Sequence, residues 1–111
     1  MKISEQFKQT FRDTDTGTEF TKADIVQEMR SRFGTNESSI IPSDYCYNRL
    51  NNGIDFTSQM HLFEYTSDKT YRYLGENAPY SGPVFHKPKG CPEICVGHMK
   101  NGIFTLNPPE N

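Results

Sequence analysis

Pro42-Ser-Asp-Tyr-Cys-Tyr-Asn-Arg-Leu-Asn-Asn-Gly53 brings together a helix-opening pair, a glycine stop and a row of planar hydrogen-bonding side chains. Pro42 and Ser43 are residue types that open a helix, and Gly53 supplies the left-handed conformation that ends one. Between them Tyr45, Tyr47, Asn48, Arg49, Asn51 and Asn52 can stack or hydrogen-bond, whereas only Cys46 and Leu50 are plainly apolar. That balance predicts a recognition helix over 42–53 rather than a core element.

Upstream, Ile3, Phe7 and Phe11 recur at i, i+4 and i+8, one stripe of a short amphipathic helix. Thr21 with Asp24 three residues on, flanked by Phe20 and Ile25, is a boxed and stapled helix start, and Gly34 is a C-terminal stop. A second helix is therefore predicted over 22–33, with Ile25, Val26, Met29 and Phe33 turned inward. Downstream, residues 61–66 and 70–74 are β-rich runs separated by Ser67, Asp68 and Lys69, which is hairpin syntax. Phe63 and Tyr65 would then share a face with Tyr71 and Tyr73.

Two helices, a turn, a third helix and a hairpin make the order of a winged helix-turn-helix domain. The expected fold class is α+β in one domain: a small winged helix-turn-helix-like core of three helices plus a hairpin over 1–75, a C-terminal β-rich extension over 76–106, and a frayed tail over 107–111. In the extension, brief strands are expected over 84–86 and 94–98, and Asn101-Gly102 favours the type I′ turn of a second hairpin.

At 111 residues the chain can bury a modest core, which its eight Phe and six Tyr would dominate. The net charge of −2 is not that of a protein that coats nucleic acid nonspecifically, so any such binding needs a local patch. Only residues 83–111 are net positive, with three basic side chains against two acidic. An odd number of cysteines, three, and no apolar stretch behind the N-terminal Met-Lys-Ile argue against a secreted disulfide scaffold and for a reduced, cytoplasmic protein. No apolar run approaches the ~20 residues that span a bilayer.

The runs SIIPSDYCYNRLNNG (39–53), HLFEY (61–65), YRYLGENAPYSGPVFHKPKG (71–90) and VGHMKNG (96–102) resemble an uncharacterised bacterial winged-helix-like domain associated with restriction-type proteins, some carrying HNH nuclease modules. PSDYCYNR (42–49) is the most specific part of that resemblance. It implies a restriction or phage-defence context, DNA as partner beside a nuclease or defence-system protein, and a recognition role. The nuclease signature itself is missing, because His61, His86 and His98 do not have the spacing of a His-Asn-His metal arrangement.

On this reading Ser43 would meet a phosphate, Tyr45 would stack, and Asn48, Arg49 and Asn51 would reach base edges, Asn suiting adenine and Arg guanine. Lys69 and Arg72 would serve as a wing, and Lys87 and Lys89 would add phosphate contacts. Asp44 and the scarcity of nearby cations count against a duplex major groove and less against a flipped base or a single strand. The contrasting reading is a protein-interaction or small nucleotide-ligand module, favoured by the acidic middle of the chain. His86, Cys91, Cys95 and His98 are the one metal-like set, but their spacing is too compressed for an ordinary zinc site, so neither metal nor cofactor is expected. The plain alternative for that set is Cys95 as a small core hydrophobe and Cys91 as a surface thiol. No nucleophile elbow, Walker loop, His-Glu-x-x-His pair or dinucleotide turn is present, so no enzyme activity is expected.

Overall fold

The computed structural model describes residues 1–107. Helix α1 (Ile3–Phe11) turns its Phe7 and Phe11 stripe inward, and Thr10 is buried beside them. After the short strand β1 (Glu19–Phe20), helix α2 (Lys22–Phe33) opens on the predicted capping box: the Thr21 hydroxyl accepts from Asp24 N–H at 3.1 Å, and the Asp24 carboxylate accepts from Thr21 N–H at 3.0 Å. Gly34, at φ 66°, ends it by donating its N–H to the Arg30 carbonyl. No helix among the described residues is long and apolar enough to cross a membrane.

Two antiparallel three-stranded sheets make up the rest. Strands β2 (Phe63–Tyr65) and β3 (Tyr71–Tyr73) join β1 in the order β1-β3-β2, with Phe63 opposite Tyr73 and Tyr65 opposite Tyr71, the aromatic ladder read from the sequence. Strands β4 (Gly82–His86), β5 (Ile94–Lys100) and β6 (Ile103–Leu106) form the second sheet in that order. Asn101 and Gly102, at φ 50° and 81°, make the tight β5–β6 turn that their sequence predicts. What was expected as brief edge strands is thus half of the fold. Asn107, expected to fray, donates its N–H to the Val96 carbonyl at 2.9 Å, and the rest of that tail lies outside the described residues.

The winged helix-turn-helix expectation is corrected by residues 42–53. They contain no α-helix: Pro42–Tyr45 is a single 3₁₀ turn, and Cys46 is already extended at φ −97° and ψ 142°. Residues 45–48 are all buried, and they serve different cores. Tyr45 and Cys46 join Phe7, Phe11, Ile25, Met29 and Phe63 beneath the helices, whereas Tyr47 joins Phe56, Val84 and Met99 beneath the second sheet. A surface helix buries one stripe, so it cannot bury four residues in a row. An extended segment threaded between two cores can, and Tyr and Cys suit it better than they suit a helix.

The backbone of this segment joins the sheets. Tyr47 N–H donates to the Phe63 carbonyl and Leu62 N–H to the Tyr45 carbonyl, both at 2.7 Å, so the chain runs parallel to β2 at Cys46. Three residues later Phe85 N–H donates to the Asn48 carbonyl at 3.0 Å and Leu50 N–H to the Phe85 carbonyl at 2.8 Å, so it runs parallel to β4 at Arg49. The free sides of β2 and β4 are thereby occupied by one strand that passes from the first sheet to the second.

Candidate nucleic-acid interface

Most side chains nominated on the expected helix are engaged inside the protein. Tyr45 is buried, with its ring centroid 4.3 Å from that of Phe7 and its hydroxyl pKa raised by burial and then by the neighbouring Asp44 carboxylate. Asn51 donates through Nδ2 to Ser43 Oγ at 3.0 Å and to Asp44 Oδ1 at 2.7 Å, fastening the chain after the joint to the turn before it. Asn48 is buried and spends its whole amide on Tyr65: Nδ2 donates to the Tyr65 carbonyl at 2.9 Å, and Oδ1 accepts from Tyr65 N–H at 2.8 Å. Arg72 pairs with Glu64 at 2.9 Å across the β2–β3 ladder.

Arg49, Lys69, Lys87 and Lys89 behave differently. Arg49 lines a cavity of about 250 Å³ together with Tyr65, Thr66, Ser67, Phe85 and Glu93. Its guanidinium lies 5.2 Å from the Tyr65 ring centroid, a cation–π geometry, and one nitrogen meets the Glu93 carboxylate. Two hairpin tips wall the cavity: the 66–70 turn of β2–β3 supplies Thr66 and Ser67, and the β4–β5 connection supplies Glu93. The first tip carries Lys69, held at φ 61° with its N–H donating to the Thr66 carbonyl at 3.2 Å. The second carries Lys87 and Lys89, both exposed. None of these three lysines has an ion-pair partner among the described residues.

The metal-like set does not converge. His86 holds the joint instead, with Nδ1 donating to the Leu50 carbonyl at 2.7 Å, whereas His98 Nδ1 pairs with Asn107 Oδ1 at 3.1 Å. Cys91 is exposed, and so is Cys95, against the expectation that it fills a core. Cys95 falls at the start of β5, before the buried Gly97 and Met99, and its thiol contacts the Gly97 carbonyl at 3.5 Å. Among the described residues no three His, Cys, Asp or Glu side chains share a position that could hold a metal ion.

Cys46, by contrast, is fully buried, and desolvation pushes its thiol pKa up, well away from the thiolate. Iodoacetamide at pH 8 is therefore expected to label Cys91 and Cys95 rapidly in the native protein and Cys46 only after denaturation, a distinction that peptide mass spectrometry reads directly. Rapid native labelling of Cys46 would contradict its place under the helices.

His61, set aside in the sequence analysis as a nuclease ligand, was given no other role there. Its Nε2–H donates to the Phe56 carbonyl at 3.0 Å, and its ring sits 4.3 Å from Phe56 and 5.3 Å from Tyr47, between centroids. The buried Nδ1 has no hydrogen-bond partner, although the nearby Cys46 carbonyl favours a proton there. Burial outweighs both carbonyls and lowers the His61 pKa below the usual value of about 6.5. The unfolded chain then binds the proton more readily, so stability is full above about pH 6.5 and falls as pH drops from there to the folded-state pKa. His61→Phe is expected to flatten that part of a plot of urea midpoint against pH. His61 also lines a second cleft, of about 510 Å³, with Tyr47, Gln59, Glu76, Asn77 and Asn101.

The class defined by this geometry is a small α+β domain of two sheets sharing one connecting strand, with a hairpin-walled cavity holding the Arg49–Glu93 pair at that strand. Residues 2–106 match the model of a family described as a domain of unknown function (DUF7225), and the chain belongs to that family. It is 48% identical over 84 residues to the uncharacterized protein YnaC of Bacillus subtilis (strain 168), over 75% of this chain and 31% of YnaC. The chain thus matches under a third of that relative's length. No solved structure matches it.

Proposed function

We propose that this domain is a nucleic-acid recognition module, without catalytic machinery of its own, that holds a single-stranded or base-modified DNA segment by its phosphates between two hairpin tips. The supporting observation is Arg49 in a cavity walled by two hairpin connections, 66–70 and 87–93, that carry the exposed lysines Lys69, Lys87 and Lys89, none of them ion-paired among the described residues. In a chain of net charge −2, such a local cluster is what phosphate binding requires. A recognition helix for a duplex major groove is absent over 42–53, whereas an arginine set in a cleft beside the Tyr65 and Phe85 rings suits a flexible strand. The resemblance to restriction-associated domains is what points to a phage-related DNA transaction and to a nuclease or defence protein as partner.

Fluorescence anisotropy with labelled single-stranded and duplex oligonucleotides, unmodified and base-modified, tests this at two salt concentrations. Four phosphate contacts on a single strand predict a log–log salt slope of about −3, each contributing roughly −0.7. Replacing both Lys87 and Lys89 by Ala should bring the slope to about −1.4. Lys69→Gly should reduce it by one contact without harming the fold, since relief of the left-handed strain, about 1–2 kcal/mol, offsets the roughly 0.5–1 kcal/mol entropic penalty of glycine. Absence of binding at low salt would overturn the proposal.

A second reading, a small-ligand module, is favoured by the His61 cleft, whose volume of about 510 Å³ falls in the range of small-molecule sites. Binding at that cleft would shift His61 and Asn77 resonances and leave Arg49 unmoved.

A further inference from the structure

Arg49 is incompletely used. A guanidinium has five N–H donors, and among the described residues only one has a protein acceptor, the Glu93 carboxylate. The contact is end-on, one oxygen to one nitrogen, not the paired geometry that a carboxylate or a phosphate can form with arginine. The Arg49 side chain is 18% exposed and the Glu93 side chain 45% exposed, so the partly enclosed charge is neutralised by a group that reaches in from outside. Residues 87–93 have few anchors: the backbone bond that closes this connection on itself runs from Cys91 N–H to the Pro88 carbonyl. Facing them across the cavity, the Ser67 hydroxyl has no hydrogen-bond partner among the described residues, while Thr66 Oγ1 is paired with Thr70 Oγ1.

We infer that Glu93 is a built-in competitor: its carboxylate stands at Arg49 where a phosphate of the ligand would bind, and a phosphate group displaces it. This rests on the reading of the cavity as a phosphate site and adds its regulation. The cavity, at about 250 Å³, is below the range of whole-ligand pockets and suits a single phosphate group better than an entire nucleotide. A phosphate offers Arg49 two parallel N–H···O bonds, and it also offers acceptors to the Ser67 hydroxyl across the cavity. Tyr65, beneath the guanidinium, keeps its plane fixed while the anion changes. A partly exposed ion pair is weak enough to exchange in this way.

The test is a titration of the whole protein with inorganic phosphate and, separately, with a labelled single-stranded oligothymidylate. The Arg49 Nε–Hε resonance reports phosphate, and anisotropy reports the oligonucleotide. Glu93→Gln, which keeps the size and removes the competing charge, should bind both probes about fivefold tighter than wild type, the upper end of what an exposed ion pair contributes. Asp68→Asn, on the Lys69 tip, removes an equal charge without touching Arg49 and should gain less than twofold. Arg49→Lys in the Glu93→Gln background should lose the gain. Equal affinities of wild type and Glu93→Gln for an oligonucleotide that binds would overturn the masking role and leave the recognition module standing. Tighter phosphate binding by Glu93→Gln, with no oligonucleotide binding by either protein, would support the mask and remove the nucleic-acid reading. Equal gains from Glu93→Gln and Asp68→Asn, or an Arg49 resonance that phosphate moves in neither protein, would overturn the inference.

Discussion

Asn48→Ala is expected to lower stability by about 2–5 kcal/mol, because it leaves two partly buried backbone groups of one residue without partners, at roughly 1–3 kcal/mol each. Both groups belong to Tyr65: its N–H and its carbonyl meet Asn48 Oδ1 and Nδ2 at 2.8 and 2.9 Å. The main chain of the joint pairs with β2 through Tyr47 and then leaves for β4, where the Asn48 carbonyl accepts from Phe85 N–H. The Asn48 side chain occupies the ladder position that its own backbone has vacated, so one residue binds both sheets. At about 4 °C per kcal/mol for a chain of this size, the melting temperature should fall by about 8–20 °C. Asn48→Asp should also be costly, since it retains the acceptor for Tyr65 N–H but sets an oxygen against the Tyr65 carbonyl. Thermal unfolding followed by circular dichroism reads both variants. If Asn48 instead read a base edge, Asn48→Ala would melt with wild type and lose only affinity, and that result would sink the structural role assigned to it.

The contrast between residues 22–33 and 42–53 shows where a single sequence is informative. Helix α2 was legible because its start, stripe and stop lie within a few residues of one another: Thr21 with Asp24, Ile25 with Met29, and Gly34 after Phe33. The aromatic hairpin and the Asn101-Gly102 turn were legible for the same reason. Residues 42–53 carry equally good local signals that belong to different structures, since Pro42 opens a 3₁₀ turn and Gly53, at φ 81°, serves a later loop. The deciding partners are Tyr65, Phe85 and Glu93, which are 17, 36 and 44 residues from Asn48 or Arg49 and have no periodic signature. One local sign was available, the alternation of β-favouring Tyr45, Cys46 and Tyr47, and it was outweighed by the Pro and Gly at the ends. The functional reading was affected unevenly. Ser43, Tyr45, Asn48, Asn51 and Arg72 are packed or hydrogen-bonded within the protein, while Arg49 lines a cavity and Lys69, Lys87 and Lys89 stand exposed on the two hairpin connections that wall it. His61 could have been noticed as a lone titratable group in the apolar run Met60 to Phe63.

Gly97→Ala is expected to cost about 3 kcal/mol and to loosen the whole second sheet, although Gly97 has no unusual backbone conformation. A Cβ there would stand 2.5 Å from the Thr105 carbonyl oxygen and 2.7 and 2.9 Å from two ring carbons of Phe104. Backbone and an aromatic ring give way less readily than the end of a flexible side chain. Either β6 must lift from β5, breaking the pairing of Gly97 with Leu106, or Phe104 must leave Phe56, which lies 4.7 Å away between ring centroids. The displacement would propagate through β5 to β4, and β4 places Phe85 against Arg49, so on the proposed function the variant should also bind a single-stranded oligonucleotide more weakly despite an intact set of cations. Gly90→Ala is the comparison that isolates this effect. Gly90, on the β4–β5 tip at φ 77°, has open space where a Cβ would go, so its substitution should cost only the left-handed backbone strain of about 1–2 kcal/mol and leave both sheets paired. Amide hydrogen exchange separates the two outcomes. Faster exchange across β5 and β6 in Gly97→Ala, with protection retained in Gly90→Ala, is the expected result, whereas equal protection in both would mean that the close approach at Gly97 does not hold the sheet together.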